Sequence, residues 1–259
     1  MKRYNISFVG AGRVGEALCT EFFKKGHRII QISSKGKENG SALATKYGAE
    51  WINNLNFEKP TDIIFLCVPD NVLSDILSRI KCSENTIVTH TAGSFGLEVF
   101  PSAILFRGVF YPLQTFSKGR NINFKEVPLF IEASDKITGD TLKTIAGSIS
   151  DRIYESDASQ RRMLHIAAVF ASNFSNYMLL LSKKICNEAS FPFDTLAPLI
   201  KETVNKALET DPELAQTGPA VRNDTETILK HLDLLSFSPE IRKIYEMISN
   251  SITEYYIKR

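Results

Sequence analysis

Ile6-Ser7-Phe8-Val9-Gly10-Ala11-Gly12-Arg13-Val14-Gly15 is a short apolar run that passes directly into G-x-G-x-x-G. The residues after it place Val14, Ala17, Leu18 and Phe22 at helical spacing, so the glycines sit between a buried strand and a helix. In that context each glycine has a task. The first allows the tight turn, the second lets a pyrophosphate approach the backbone, and the third lets helix and strand pack closely. The free N–H groups at the helix start then point at the phosphates. A glycine turn without a ligand, or a loop that holds a methyl donor, shares the bare motif. The strand before it and the helix after it favour a dinucleotide, with Gly10, Ala11, Gly12, Arg13, Val14 and Gly15 as contacts.

The next strand, Arg28 to Ile32, ends in Ser33-Ser34-Lys35-Gly36-Lys37, and no acidic residue occurs between Glu21 and Glu38. A site for NAD places a carboxylate here for the ribose 2′-hydroxyl. Hydroxyls and lysines suit a 2′-phosphate instead, so Ser33, Ser34 and Lys35 point to NADP(H), against the alternative of a solvated basic loop. The pattern continues with a helix over Ser41 to Tyr47 and a weak strand at Glu50 to Ile52. Asp62 to Val68 is the most apolar strand, as a central parallel strand covered on both faces should be. Val68 and Pro69 fall beside the cofactor, and Asp70 reads as the cap of a helix. Strands are predicted at Thr86 to Thr91, Arg107 to Tyr111, Val127 to Ala133 and Arg152 to Tyr154, with a helix over Thr138 to Ser148. Loops at the carboxyl ends of such strands carry the chemistry. Ser94 is therefore a candidate for polarising a substrate oxygen, or a turn residue. His90, Tyr111 and Gln114 lie at the same edge.

From Asp157 the alternation stops and the chain reads as helix, without a Gly- or Pro-rich linker. This gives two domains, 1–155 and 156–259, the first a Rossmann-type α/β domain with a mostly parallel sheet, the second all-helical. The helix over Ala158 to Glu188 is apolar around much of its circumference, which predicts burial in a bundle or at a subunit interface. Its polar members include His165, Ser172, Asn173 and Asn176. Seven residues separate His165 from Ser172 and place them near one face. Buried polar groups need partners, so His165 and Asn173 are candidates for catalysis as well as satisfied core residues. Further helices are read over Asp194 to Glu209 and Pro239 to Ile257. Between them, Gln216-Thr217-Gly218-Pro219-Ala220-Val221-Arg222-Asn223-Asp224 gathers a guanidinium, a carboxylate, an amide and a hydroxyl. Arg222 suits a carboxylate or phosphate, or a salt bridge to Asp224. Thr217, Asp224 and His231 complete the candidate substrate contacts, and Asp224 or Thr225 is also a candidate helix cap.

The chain has 259 residues and a net charge of +2, which gives no reason to expect nucleic acid or an anionic membrane as partner. Its four cysteines, Cys19, Cys67, Cys82 and Cys186, lack metal-binding spacing and read as buried free thiols. No metal site is expected. No signal peptide and no uninterrupted apolar run of bilayer length is visible, so a cytoplasmic protein is expected.

The two halves together resemble a bacterial family in which a Rossmann domain of the NADP or coenzyme-F420-dependent oxidoreductase kind precedes a helical domain of unknown function. The resemblance rests on Gly10 to Gly15, Val68-Pro69-Asp70, His90-Thr91-Ala92-Gly93-Ser94, Tyr111-Pro112-Leu113-Gln114-Thr115-Phe116, His165 to Asn173, and Thr217-Gly218-Pro219 with Arg222 and Asp224. More distantly it is similar to pyrroline-5-carboxylate reductase, ketopantoate reductase and the β-hydroxyacid dehydrogenases. That likeness implies a 6-phosphogluconate-dehydrogenase-like helical second domain and a homodimer formed through it. The β-hydroxyacid dehydrogenases carry a lysine, with an asparagine four residues later, on the first long helix. His165 and Val169 stand in that region here, so the lysine mechanism does not transfer. Tyr111 and Asn223 replace a histidine and a glycine frequent in the first family. The function expected is hydride transfer between NADP(H) and a small carbonyl, imine or alcohol, with His165 as general acid and Ser94 and Asn173 positioning the substrate. The alternative is a non-catalytic NADP(H)-binding sensor.

Overall fold

A computed structural model of the chain describes residues 2–257. Eight strands form one sheet in the order β3-β2-β1-β4-β5-β6-β7-β8. They are β1 (Asn5–Val9), β2 (Arg28–Ser33), β3 (Glu50–Ile52), β4 (Ile63–Leu66), β5 (Ile87–His90), β6 (Arg107–Pro112), β7 (Leu129–Ala133) and β8 (Ile153–Glu155). All neighbours pair parallel except β6 with β7. The order reverses between β1 and β4, which is the point where such sheets bind their ligands. The mostly parallel Rossmann-type sheet expected from the sequence is therefore present.

Strand alternation sorts the core onto two faces. Phe8 and Phe65 pack with Phe22 and Phe110 on one side, with ring centroids 5.1 Å apart for Phe22–Phe65 and 5.2 Å for Phe65–Phe110. Ile64 and Leu66 pack with Leu73, Leu77 and Phe100 on the other. The helices that cover these faces are α1 (Arg13–Lys24), α2 (Lys37–Tyr47), α3 (Asp70–Arg79) and α4 (Lys136–Ile149). The first two cysteines lie in this core, and all four are free thiols. Burial pushes the Cys67 thiol up to about 12 and the Cys19 thiol higher still.

Helix α5 (Ala158–Ala168) opens with a reciprocal cap, in which Asp157 accepts from the Gln160 backbone and the Gln160 side chain accepts from the Asp157 backbone. This is the capping box that D-x-x-Q encodes. One turn in, Arg161 is fully buried. Its guanidinium donates to Ser156 O at 2.8 Å, Phe95 O at 3.0 Å and Glu132 Oε2 at 2.5 Å. It thus ties α5 to β7, to the segment after β8 and to the loop after β5.

The long helix read from the sequence is not a single α-helix. After α5 a π-turn spans Val169–Phe174, and α6 (Ser175–Glu188) follows. In a π-turn hydrogen bonds run i→i+5, so spacing by 3.6 residues does not carry through it. The seven-residue rule that placed His165 and Ser172 on one face fails for this reason. The expectation of a helix buried within a bundle also gives way. Met163 is 65% exposed and Ile166 50% exposed.

The chain forms two compact units that divide between Asn173 and Phe174, inside the π-turn. The second holds α6, α7 (Ala197–Glu209), α8 (Pro212–Ala215), α9 (Thr225–Leu234) and α10 (Pro239–Ile257). The helix expected from Asp194 begins with a short 3-10 turn, Phe193–Leu196, because the α-helix proper starts just before Pro198. Leu181, Leu235 and Ile241 form its small core, with Tyr177, Met178, Ile244 and Tyr245 packed around them.

By length and composition the helix over Ala158–Glu188 is apolar enough to cross a bilayer, with a mean hydropathy of 1.3 over its best stretch. The sequence reading found no such run because His165, Ser172, Asn173, Ser175 and Asn176 interrupt it. Such groups are costly in lipid and at home against protein or water.

Replacing Arg161 by Met leaves Glu132 without its cation and should cost on the order of 3 kcal/mol, as for other half-broken buried pairs. Arg161→Met with Glu132→Leu should recover part of that loss in urea unfolding. An unchanged midpoint for the single variant would show that the tie bears no stability.

Candidate functional site

The glycine loop explains itself through space. Gly10 has φ +100°, and a Cβ there would lie 2.3 Å from Cys67 O; one on Gly15 would lie 2.4 Å from Gly10 O. Both positions require glycine for backbone packing. At Gly12 a Cβ would meet nothing within 4 Å, so the absent side chain leaves open space on the groove side. Gly12 is also the N-cap of α1 and provides no side-chain cap, which leaves the first N–H groups of the helix available to an anion.

From this loop a groove of about 780 Å³ runs past Ser33 to Gly36 and Asn53 to Leu55 as far as Val68, Pro69 and Val72. Gly10, Ala11, Gly12, Lys35, Asn39 and Arg79 also line it. The two serines behave differently. Ser33 is buried, and its hydroxyl donates to Asn54 O at 2.6 Å. Ser34 donates to Gly36 O at 2.8 Å and accepts from Trp51 Nε1 at 3.0 Å. Both hydroxyl protons are thus committed within the protein. Lys35 is exposed and lines the groove.

At the carboxyl ends of β4, β5 and β6 a second cluster gathers. Asp70 is the first residue of α3, and Pro69 is its N-cap. The carboxylate does not cap the helix as the sequence suggested; it accepts from Ser94 Oγ at 2.6 Å. His90 is turned into the core, where its Nδ1 accepts from Ala92 N at 3.2 Å and its ring stacks on Phe100. Burial pushes this imidazole down to about 4. It is a neutral strut for the loop that carries Gly93 and Ser94. Tyr111 Oη lies 3.0 Å from His165 Nδ1. A Cβ on Gly93 would come within 2.9 Å of the Tyr111 ring and 3.2 Å of His165 Nδ1, so the loop crosses tightly over the pair. Burial, and then the Asp70 carboxylate, raise the Tyr111 phenol above its ordinary value.

Asn173 is exposed in the π-turn. In the second unit Asp224 caps α9 by accepting from Thr227 N at 3.1 Å and from Thr227 Oγ1 at 2.8 Å. Its carboxylate is thereby committed to the helix. His231 Nδ1 bonds Tyr245 Oη at 2.7 Å. Thr217 and Arg222 are exposed.

The family profile described as NADP oxidoreductase, coenzyme F420-dependent, matches residues 5–93. A second, a domain of unknown function (DUF2520), matches residues 127–252. The crystal structure of an assigned NADP oxidoreductase from Bacteroides fragilis is 39% identical, with a TM-score of 0.89, and the match covers 97% of this chain and 98% of that one. The chain belongs to this NADP oxidoreductase family. An imine reductase from Myxococcus stipitatus in complex with NADP+ is 16% identical, with a TM-score of 0.69 over 98% of this chain and 93% of its own. A pyrroline-5-carboxylate reductase from Streptococcus pyogenes is 12% identical, with a TM-score of 0.62 over 97% and 99%. At those identities the likeness is one of fold. No curated protein matches the sequence.

The cofactor of the family is NADP(H), and the open space at Gly12, the helix start without a side-chain cap and the acid-free segment Ser33 to Lys37 on the groove fit it. Sequence reasoning noticed His165 and Tyr111 separately and missed their pairing. It also missed Arg79 in the groove and the link between Asp70 and Ser94, which lie 24 residues apart.

Gly12→Ala should change stability by less than about 1 kcal/mol and weaken NADPH binding by about tenfold or more, the equivalent of about 1.4 kcal/mol. Gly10→Ala should instead destabilise the fold by on the order of 3 kcal/mol. Calorimetric melting with NADPH titration separates the two. Undiminished NADPH binding by Gly12→Ala would remove the phosphate from this loop.

Proposed function

We propose that the protein is an enzyme that transfers a hydride between NADP(H) and a small carbonyl, imine or alcohol. The supporting observation is the Tyr111–His165 hydrogen bond at the carboxyl edge of the sheet, beside the loop that carries Ser94. The bound dinucleotide supplies the hydride. The protein's own task is then to orient the substrate, exclude water and move one proton. His165 handles that proton, since imidazole exchanges protons near neutral pH. Ser94, tied to Asp70, positions a substrate polar group as an acceptor, and Asn173 is proposed as a further polar contact. Arg222, exposed in its loop, is the candidate for an anionic substrate end. Lys35 selects the 2′-phosphate.

The protein is read as soluble and cytoplasmic, and as a homodimer. Exposed Met163 and Ile166 on α5, and the small core of the second unit, with Leu199 63% and Leu208 82% exposed, leave more apolar surface than a monomer carries comfortably. Ile166→Glu should shift sedimentation velocity towards monomer. A wild-type protein that sediments as a monomer at all concentrations would refute the dimer.

The decisive experiment is a fluorescence titration with NADPH and NADH, followed by a screen of cyclic imines and small ketones. NADPH should bind more tightly, and Lys35→Ala should narrow the difference by about tenfold, the worth of one charge-assisted contact. His165→Ala should lower turnover by about a hundredfold while NADPH affinity holds. Full turnover in that variant sinks the role given to His165. NADPH binding without hydride transfer to any substrate favours a sensor.

A further inference from the structure

We infer that Tyr111 is the group that hands the proton to the substrate, with His165 behind it as the group that restores the proton. The inference deepens the reading given under Proposed function and rests on it.

Hydroxyl protons near the carboxyl ends of β4 to β6 are few. The Ser94 hydroxyl donates to Asp70 Oδ2 at 2.6 Å, so its proton already has a strong acceptor. The Tyr111 hydroxyl stands 3.0 Å from His165 Nδ1. When the imidazole donates through Nδ1–H, the phenolic oxygen accepts, and its own O–H is left to donate elsewhere. His165 thereby directs the phenol proton away from itself. The pair is held in place on several sides. Tyr111 belongs to a central strand, its ring lies 6.3 Å from that of Phe130, and the backbone at Gly93 leaves no room for a Cβ above the pair. The ionisable groups that face the phenol are His165 from α5 and Asp70 from α3. A carboxylate nearby favours the protonated phenol, which is the form a donor must hold before the reaction.

The proton balance closes. Reduction of a C=O or C=N bond breaks its π bond and leaves an electron pair on the heteroatom. That pair takes the Tyr111 O–H proton and forms the new O–H or N–H bond. The tyrosinate oxygen takes the Nδ1 proton of the His165 imidazolium. The imidazole, exposed at the surface, is reprotonated from water. In the oxidative direction each transfer reverses. Tyr111 is then a catalytic residue, and His165 acts through it.

Two measurements test this. In the first, ultraviolet difference titration of the wild type against Tyr111→Phe isolates the ionisation of Tyr111 without any substrate. Its midpoint should fall by half a pH unit or more in Asp70→Asn, which removes a carboxylate that favours the protonated phenol, and should rise in His165→Ala, which removes a donor to the phenolate oxygen. A midpoint unmoved in both variants overturns the inference. In the second, steady-state reduction of a cyclic imine by NADPH is compared across variants. Tyr111→Phe should lower kcat a hundredfold or more with NADPH affinity unchanged. His165→Ala should lose less and regain part of its rate with added imidazole, and the double variant should be no worse than Tyr111→Phe. If Tyr111→Phe keeps wild-type kcat, or if His165→Ala is the more damaged and imidazole does not help, His165 donates directly and the inference fails while the reading stands. A wild type that reduces nothing, with the titration coupling intact, brings down the reading itself.

Discussion

The guanidinium of Arg161 fastens parts of the chain that are far apart in sequence. It binds the loop after β5 through Phe95 O, strand β7 through Glu132 and the segment after β8 through Ser156 O. His165 stands one helical turn further along α5, so the same fastening sets where its imidazole meets Tyr111. A buried cation is expensive unless it is fully partnered. The two terminal nitrogens are partnered, and Nε alone lacks a hydrogen bond. The arrangement places a strong electrostatic tie next to the proposed proton pair, where a small shift would separate Nδ1 from the phenol.

The glycine loop provides a different kind of constraint, one of volume. Gly10 and Gly15 are required by backbone atoms of the protein itself, whereas Gly12 leaves a space that the protein does not fill. One motif therefore serves both the fold and the ligand, with the roles divided between adjacent glycines. The buried His90 beneath the loop after β5 belongs to the same division of labour, since its ring nitrogens bond Ala92 N and Gly96 O on either side of Gly93 and Ser94.

Much of the sheet was legible in the sequence because its strands are apolar on both faces and its helices alternate with them. The run through Gly10 to Gly15 and the acid-free Ser33 to Lys37 also carried the cofactor. Arg161 was not legible. Arg161 and Arg162 are chemically identical neighbours, yet one is fully buried and the other half-exposed beside Glu98, and only tertiary packing distinguishes them. Ser33 and Ser34 pose a similar problem, since one hydroxyl donates to Asn54 O and its neighbour to Gly36 O, partners that no local pattern assigns. The Tyr111–His165 contact spans 54 residues, beyond the reach of any local pattern. The π-turn at Val169–Phe174 has no signature of its own in an apolar helical stretch, so the helix faces counted through it were misplaced.

The clip between Ser34 and Trp51 bears on how such a protein could change its nucleotide preference. A Cβ on Gly40 would fall 1.8 Å from Ser34 Oγ and 2.6 Å from Trp51 Nε1, so helix α2, the serine and the indole form one locked corner. Lys37 adds its ammonium 5.9 Å from the Trp51 ring. Substitutions at 34, 37 or 40 disturb that corner before they touch any nucleotide. Lys35 stands outside it, exposed and on the groove. Evolution or engineering that trades a ribose phosphate for a bare hydroxyl has its least encumbered starting point at this single side chain.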